Sequence, residues 1–94
     1  MEVAVLIQPV QPVLVTIKIG ESQYECQMIS LSDTELELSG SEYIEKESAV
    51  LFFAKYFRGN GTISEIKFAQ FCFTYKLSID AIQFQPGLII NTRL

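Results

Sequence analysis

Val13-Leu-Val-Thr-Ile-Lys-Ile-Gly-Glu-Ser-Gln-Tyr-Glu-Cys-Gln-Met-Ile-Ser-Leu-Ser-Asp-Thr-Glu-Leu-Glu-Leu38 reads as three strands joined by two turns. Val13, Val15, Ile17 and Ile19 alternate with Leu14, Thr16 and Lys18, the period-two signature of a strand with one face on a core. Gly20 and Glu21 supply a turn. Ser22 to Ile29 then returns with Tyr24, Cys26 and Met28 inward and Glu25 and Gln27 outward, completing an antiparallel hairpin. Ser30 to Thr34 is rich in short polar side chains that bond their own backbone and favour a second turn. Leu36 and Leu38 follow inward, with Glu35 and Glu37 outward.

Outward from this stretch the chain stays β. Ser39-Gly40-Ser41 opens a polar interval running through Glu47, which predicts a mobile acidic loop. Ala49 to Phe57 is dense in β-branched and aromatic residues on both faces, Val50, Phe52, Ala54 and Tyr56 against Leu51, Phe53, Lys55 and Phe57, and predicts a central strand. Arg58-Gly59-Asn60-Gly61 reads as a turn, with Asn60-Gly61 giving the positive φ values of a tight hairpin. Thr62 to about Cys72 comes back with Ile66 and Phe68 inward and Glu65 and Lys67 outward. In the last strand Tyr75, Leu77, Ile79 and Ala81 oppose Lys76, Ser78 and Asp80, while Ile82 and Phe84 fall on the other phase, as a β-bulge would produce. Pro86-Gly87 predicts a turn, and Leu88 to Leu94 fits either a strand or a helical turn. Pro9 and Pro12 make the N-terminal arm an edge or an extended lead-in.

Six or so short antiparallel strands without an amphipathic helix predict an all-β fold: a small six-stranded antiparallel barrel, closed or nearly so, forming one domain over residues 1–94. Closure explains how so many apolar strands avoid open edges. A chain of 94 residues with 49% apolar and 12% aromatic side chains sustains one modest core without metals or disulfides.

The same composition excludes several functions. With no histidine, Ser-His-Asp and Cys-His constellations and His-bearing zinc sites are absent. Cys26 and Cys72 have no CxxC spacing and sit in apolar strand patterns, as small core residues do. No Walker lysine, GxGxxG or paired-carboxylate motif occurs, so no catalytic residue, cofactor or metal is assigned and the chain reads as a non-enzyme. The longest apolar run, Ala49 to Ala54, is too short to span a bilayer, and Met1-Glu2-Val3 lacks a basic signal region, which predicts a cytoplasmic protein with no membrane insertion.

The net charge of −4 conceals an asymmetry. Between residues 21 and 47, Glu21, Glu25, Asp33, Glu35, Glu37, Glu42, Glu45 and Glu47 face a single base, Lys46, whereas over residues 48–94 Lys55, Arg58, Lys67, Lys76 and Arg93 outnumber Glu65 and Asp80. Such a face repels phosphate backbones, so no nucleic-acid partner is expected, and it attracts basic protein surfaces. The plainer reading is that these carboxylates keep strand faces and a loop in water.

Met28 through Asp33 resembles the second signature of PilZ domains, in which an Asp or Asn is followed two residues on by Ser and three beyond that by Gly. Ser30 keeps its place as a remnant, while Met28 and Asp33 stand where the first and last residues would be. The likeness covers about residues 6 to 84, with Val10 to Ile19 like the first strand and Ser78 to Phe84 like the closing one. It implies a six-stranded barrel related to cyclic di-GMP receptors. Their RxxxR segment is missing: Leu6 to Pro12 holds no arginine, and the only two in the chain are Arg58 and Arg93. Guanidinium pairs bidentately with phosphate and stacks on bases. Losing two such contacts at roughly 1.5–3 kcal/mol each weakens binding about a hundredfold or more.

What the resemblance then implies is a degenerate PilZ-like adaptor in bacterial motility, pilus or cyclic di-GMP-linked signalling, working through a protein partner or as a homodimer. Its candidate surface comprises Glu35, Glu37, Glu42, Glu45 and Glu47 with Phe53 and Phe57, unless those two rings fill a second small core or lie under a short terminal segment. A cyclic di-GMP receptor with a non-standard or shared site, and a structural SH3-like or OB-like barrel, fit the same residues.

Overall fold

A computed structural model describes residues 6–84; the predicted Pro86-Gly87 turn, Leu88 to Leu94 and Arg93 lie outside the described residues. Within them the strands are β1 (Leu6–Ile7), β2 (Leu14–Ile19), β3 (Ser22–Ser32), β4 (Glu35–Gly40), β5 (Ala49–Ala54), β6 (Phe57–Ala69) and β7 (Cys72–Phe84). All pairings are antiparallel. The order β3-β2-β5-β6-β7-β4 closes through a β3–β4 pairing into a six-stranded barrel, and β1 adds at the side of β3. No helix interrupts it among the described residues.

The period-two pattern predicts the barrel interior well. Val15 and Ile17 of β2, Cys26 and Met28 of β3, Leu36 and Leu38 of β4 and Tyr75 and Leu77 of β7 are all buried, while Glu25, Gln27 and Glu35 are exposed. The first turn uses Gly20 at φ 60°, a conformation glycine adopts without steric cost. In the second, Ser32 Oγ accepts hydrogen bonds from the backbone N–H groups of Thr34 and Glu35 at 3.2 and 3.0 Å. That turn is tighter than its sequence suggests, because β3 continues to Ser32. An unforeseen bulge at Ile29, between the pairs Met28–Leu38 and Ser30–Glu37, moves the inward phase from Met28 to Leu31.

Two predictions about the second half need correction. Ala49 to Phe57 is not one strand: β5 ends at Ala54, Lys55 and Tyr56 make the turn, and Phe57 already belongs to β6. Leu51 and Phe53 face outward, so β5, although flanked by β2 and β6, has only one buried face. Arg58 to Gly61 is likewise strand rather than turn. Its glycines answer to crowding. A Cβ on Gly59 would collide with the Ala81 carbonyl oxygen and stand 2.8 Å from Phe52 Cζ, and one on Gly61 would collide with the Ser78 carbonyl oxygen. The predicted bulge near the end of β7 is present, with Asp80 the extra residue between the pairs Asn60–Ala81 and Gly61–Ile79.

The acidic interval after β4 is fastened to the barrel instead of standing free. Ile44 is buried in the core, and the Tyr75 hydroxyl donates to the Glu42 carbonyl. Glu47 N–H donates to the Ile63 carbonyl at 2.7 Å, and Ile63 N–H returns a bond to the Ser48 carbonyl at 3.0 Å. Composition alone shows the glutamates and hides the single apolar anchor among them.

Candidate interaction surface

The site expected from sequence is not assembled. In the closed ring β4 and β5 are three places apart in either direction, so Glu35 and Glu37 on β4 face away from Phe53 on β5. Phe57, at 6% exposure, is a core residue whose ring meets Phe52 and Phe84 at centroid distances of 6.0 and 6.1 Å. Phe53 is 39% exposed and lines a shallow outer groove of about 440 Å³ with Leu51, Arg58 and Ile82. Glu42, Glu45 and Glu47 lie exposed in the fastened loop.

The Met28–Asp33 stretch, where sequence predicts a remnant ligand motif, is occupied by scaffold. Met28 is buried, Ser30 hydroxyl reaches Glu37 Oε1 at 3.4 Å, and Ser32 closes the turn on its own backbone. Thr34 carbonyl accepts from Ile79 N–H at 2.8 Å, tying the turn to β7. Two carboxylates, Glu37 beside Ser30 and Asp33 at the apex, oppose an anionic ligand here.

A different aromatic surface stands at the far end of the β6–β7 hairpin. Past the Ala49–Thr62 pair, β6 has no β5 partner, and its inward face runs on past β5 as Ile66 and Phe68, opposite Tyr75 and Phe73 of β7, which stay paired with Leu38 and Gly40 of β4. Phe68 and Phe73 rings lie 4.8 Å apart, Tyr43 from the acidic loop meets Phe73 edge-on at 5.9 Å, and Phe73 stacks on Tyr75 at 6.4 Å. Tyr75 is fully buried at the base, whereas Phe68 and Tyr43 are each 62% exposed. The two-residue turn is Gln70-Phe71, between the paired Ala69 and Cys72, and Phe71 is 95% exposed.

Sequence inspection places Phe68 inward and runs the strand to Cys72, because Gln-Phe carries no turn signal. A usable signal exists in the mirrored spacing of Ile66 and Phe68 with Phe73 and Tyr75 about Gln70-Phe71. A second bulge, at Ser64 between the pairs Ile63–Leu77 and Glu65–Lys76, shifts the register in the middle of that hairpin and obscures it.

Charge around this end is uneven. On the hairpin's outer side Glu65 is paired with Lys67 at 3.2 Å and with Lys76 at 3.9 Å, and the hydrogen bond from Lys67 holds its carboxyl below the usual range. Where the acidic loop leaves β4, a polar groove lined by Ser22, Gln23, Tyr24, Glu25, Ser41 and Glu42 has two carboxylates and no base among its lining residues. Burial, then the Glu25 charge, pushes the Cys26 thiol up to about 11. Cys72 is only half-buried, at the start of β7. Among the described residues no group of three or more His, Cys, Asp or Glu side chains is disposed to hold a metal ion, and no helix is long and apolar enough to cross a membrane. Comparison with protein-family models gives no match for this chain, and comparison with curated proteins gives none.

Proposed function

We propose that this chain is a non-catalytic, PilZ-like adaptor barrel that acts through protein contacts in bacterial motility, pilus or cyclic di-GMP-linked signalling, and that it does not hold cyclic di-GMP in that family's usual manner. The observation that carries this reading is the contrast between two hairpin ends. At the β3–β4 turn, where the resemblance puts the nucleotide motif, Met28 is buried and Ser30 and Ser32 are engaged within the fold. At the β6–β7 turn, Phe71 stands in solvent, and Phe68 and Tyr43, each against Phe73, keep most of their surface exposed. Exposed aromatic area bordered by polar residues is the ordinary makeup of a docking site.

Affinity capture from bacterial lysate with the intact chain, read by mass spectrometry, is expected to retain a discrete set of proteins, and titration calorimetry with cyclic di-GMP is expected to give no heat of binding at micromolar concentrations. Micromolar or tighter nucleotide binding would replace the adaptor reading with a receptor using a non-standard site.

A further inference from the structure

We propose that the open end of the β6–β7 hairpin receives an extended, basic peptide segment of a partner protein, whose apolar side chains cover Phe68, Phe71 and Tyr43 and whose cationic side chains meet Glu25 and Glu42. This rests on the adaptor reading and gives it a place and a ligand chemistry.

Backbone conformation supplies the first support. Gln70 and Phe71 have φ of 53° and 66°, the two positive values of a tight hairpin turn that Asn-Gly satisfies without strain. A bulky aromatic in the left-handed region is unfavourable, and an aromatic ring held 95% in water gains nothing from burial. The turn therefore carries a residue that neither local conformation nor packing in this chain selects. Strain of this kind is retained where a side chain serves another purpose.

Strand geometry supplies the second. Beyond Thr62 the side of β6 that faced β5 is open among the described residues, where its loop bonds are those of Ile63. Residues 65–69 thus offer backbone donors and acceptors to an added strand, directly beside the aromatic side chains. Charge supplies the third. The hairpin's own lysines are drawn to Glu65 on the outer side, while Glu25 and Glu42, the residue before Tyr43, line a groove of about 630 Å³ with no cation among its lining residues. An acidic peptide would be repelled there and a basic one attracted. The outer groove at Leu51 and Phe53 has neither an open strand edge nor a strained turn.

Selection of a random displayed peptide library against the intact chain tests this. Enriched peptides are expected to combine Lys or Arg with large apolar residues. Phe71→Gly is expected to weaken their binding roughly tenfold, with a melting temperature no lower than the parent's, and Phe68→Ser is expected to do the same. Glu25→Gln with Glu42→Gln is expected to weaken it roughly fivefold at low salt and hardly at all at high salt. Hydrogen exchange is expected to slow at residues 65–71 on binding. Enrichment of acidic or uncharged peptides, equal affinity for Phe71→Gly, protection at Leu51 to Phe53, or closure of the patch by a second copy, seen as a concentration-dependent dimer lost in Phe71→Gly, would each overturn the proposal. Peptides that bind regardless of Phe71 would sink this site and leave the adaptor reading standing; an empty lysate capture would sink that reading itself.

Discussion

The two ends of the β6–β7 hairpin are built to opposite specifications. At its root, Gly59 and Gly61 let β6 lie so close to β7 that a single methyl group would strike a backbone carbonyl, and Phe52 fills the space beneath Gly59. At its tip, two residues with side chains occupy a turn that prefers glycine, and the largest of them projects into water. One end has conformation and packing in agreement; the other has them in conflict. Agreement across levels is what folding selects, and a local conflict that persists points to a demand from outside the fold.

The largest expected effect lies at the root. Phe52→Ala removes a fully buried ring and should cost about 3–5 kcal/mol in urea denaturation. Gly61→Ala should cost about 1–3 kcal/mol, because the obstruction at Ser78 is backbone and cannot rotate away. If Gly61→Ala were neutral, the close approach of β6 and β7 would be wrong.

Tyr75 connects the two ends, since it is buried in the core and its hydroxyl holds the loop that carries Tyr43. Tyr75→Phe should cost about 1 kcal/mol and accelerate amide exchange in residues 41–45. Burial, with the nearby Cys26, pushes the Tyr75 phenol up to about 12, and burial pushes the Cys26 thiol to about 11. Both groups are raised, so their contribution is fully present below the unfolded values near 9 and 10 and is lost as pH climbs through the folded ones. Stability measured against pH should therefore hold to about pH 9 and fall between there and pH 12, and Tyr75→Phe should remove the upper part of the fall.

The smallest effect has the opposite sign. Gln70→Asn with Phe71→Gly should stabilise the hairpin by about 1 kcal/mol, read as a higher denaturation midpoint. A loss of stability on relieving that turn would show that Phe71 packs for the fold, and the contrast between root and tip would vanish.

The barrel interior was legible because strand alternation depends on local geometry alone: Val15, Ile17, Cys26, Met28, Leu36 and Leu38 can be named inward from their spacing. The bulge in β7 was legible for the same reason, as a break in that spacing. Glycine was misread at Asn60-Gly61 because a residue without a side chain serves equally for a positive φ and for close backbone contact, and only the neighbouring strand distinguishes the two uses. Phe57 and Phe53 differ by the four-residue link from Ala54 to Phe57, whose turn sends one ring into the core and leaves the other outside.

By itself, then, the sequence determined an antiparallel all-β chain with the inward faces of β2, β3 and β4 and the turns that join them. Only the tertiary structure decided which strands neighbour one another around the ring. It thereby separated the β4 glutamates from Phe53 and carried the inward face of β6 past the end of β5. Ring closure sets these distances through pairings between residues far apart in the chain, and no local pattern of side chains encodes them.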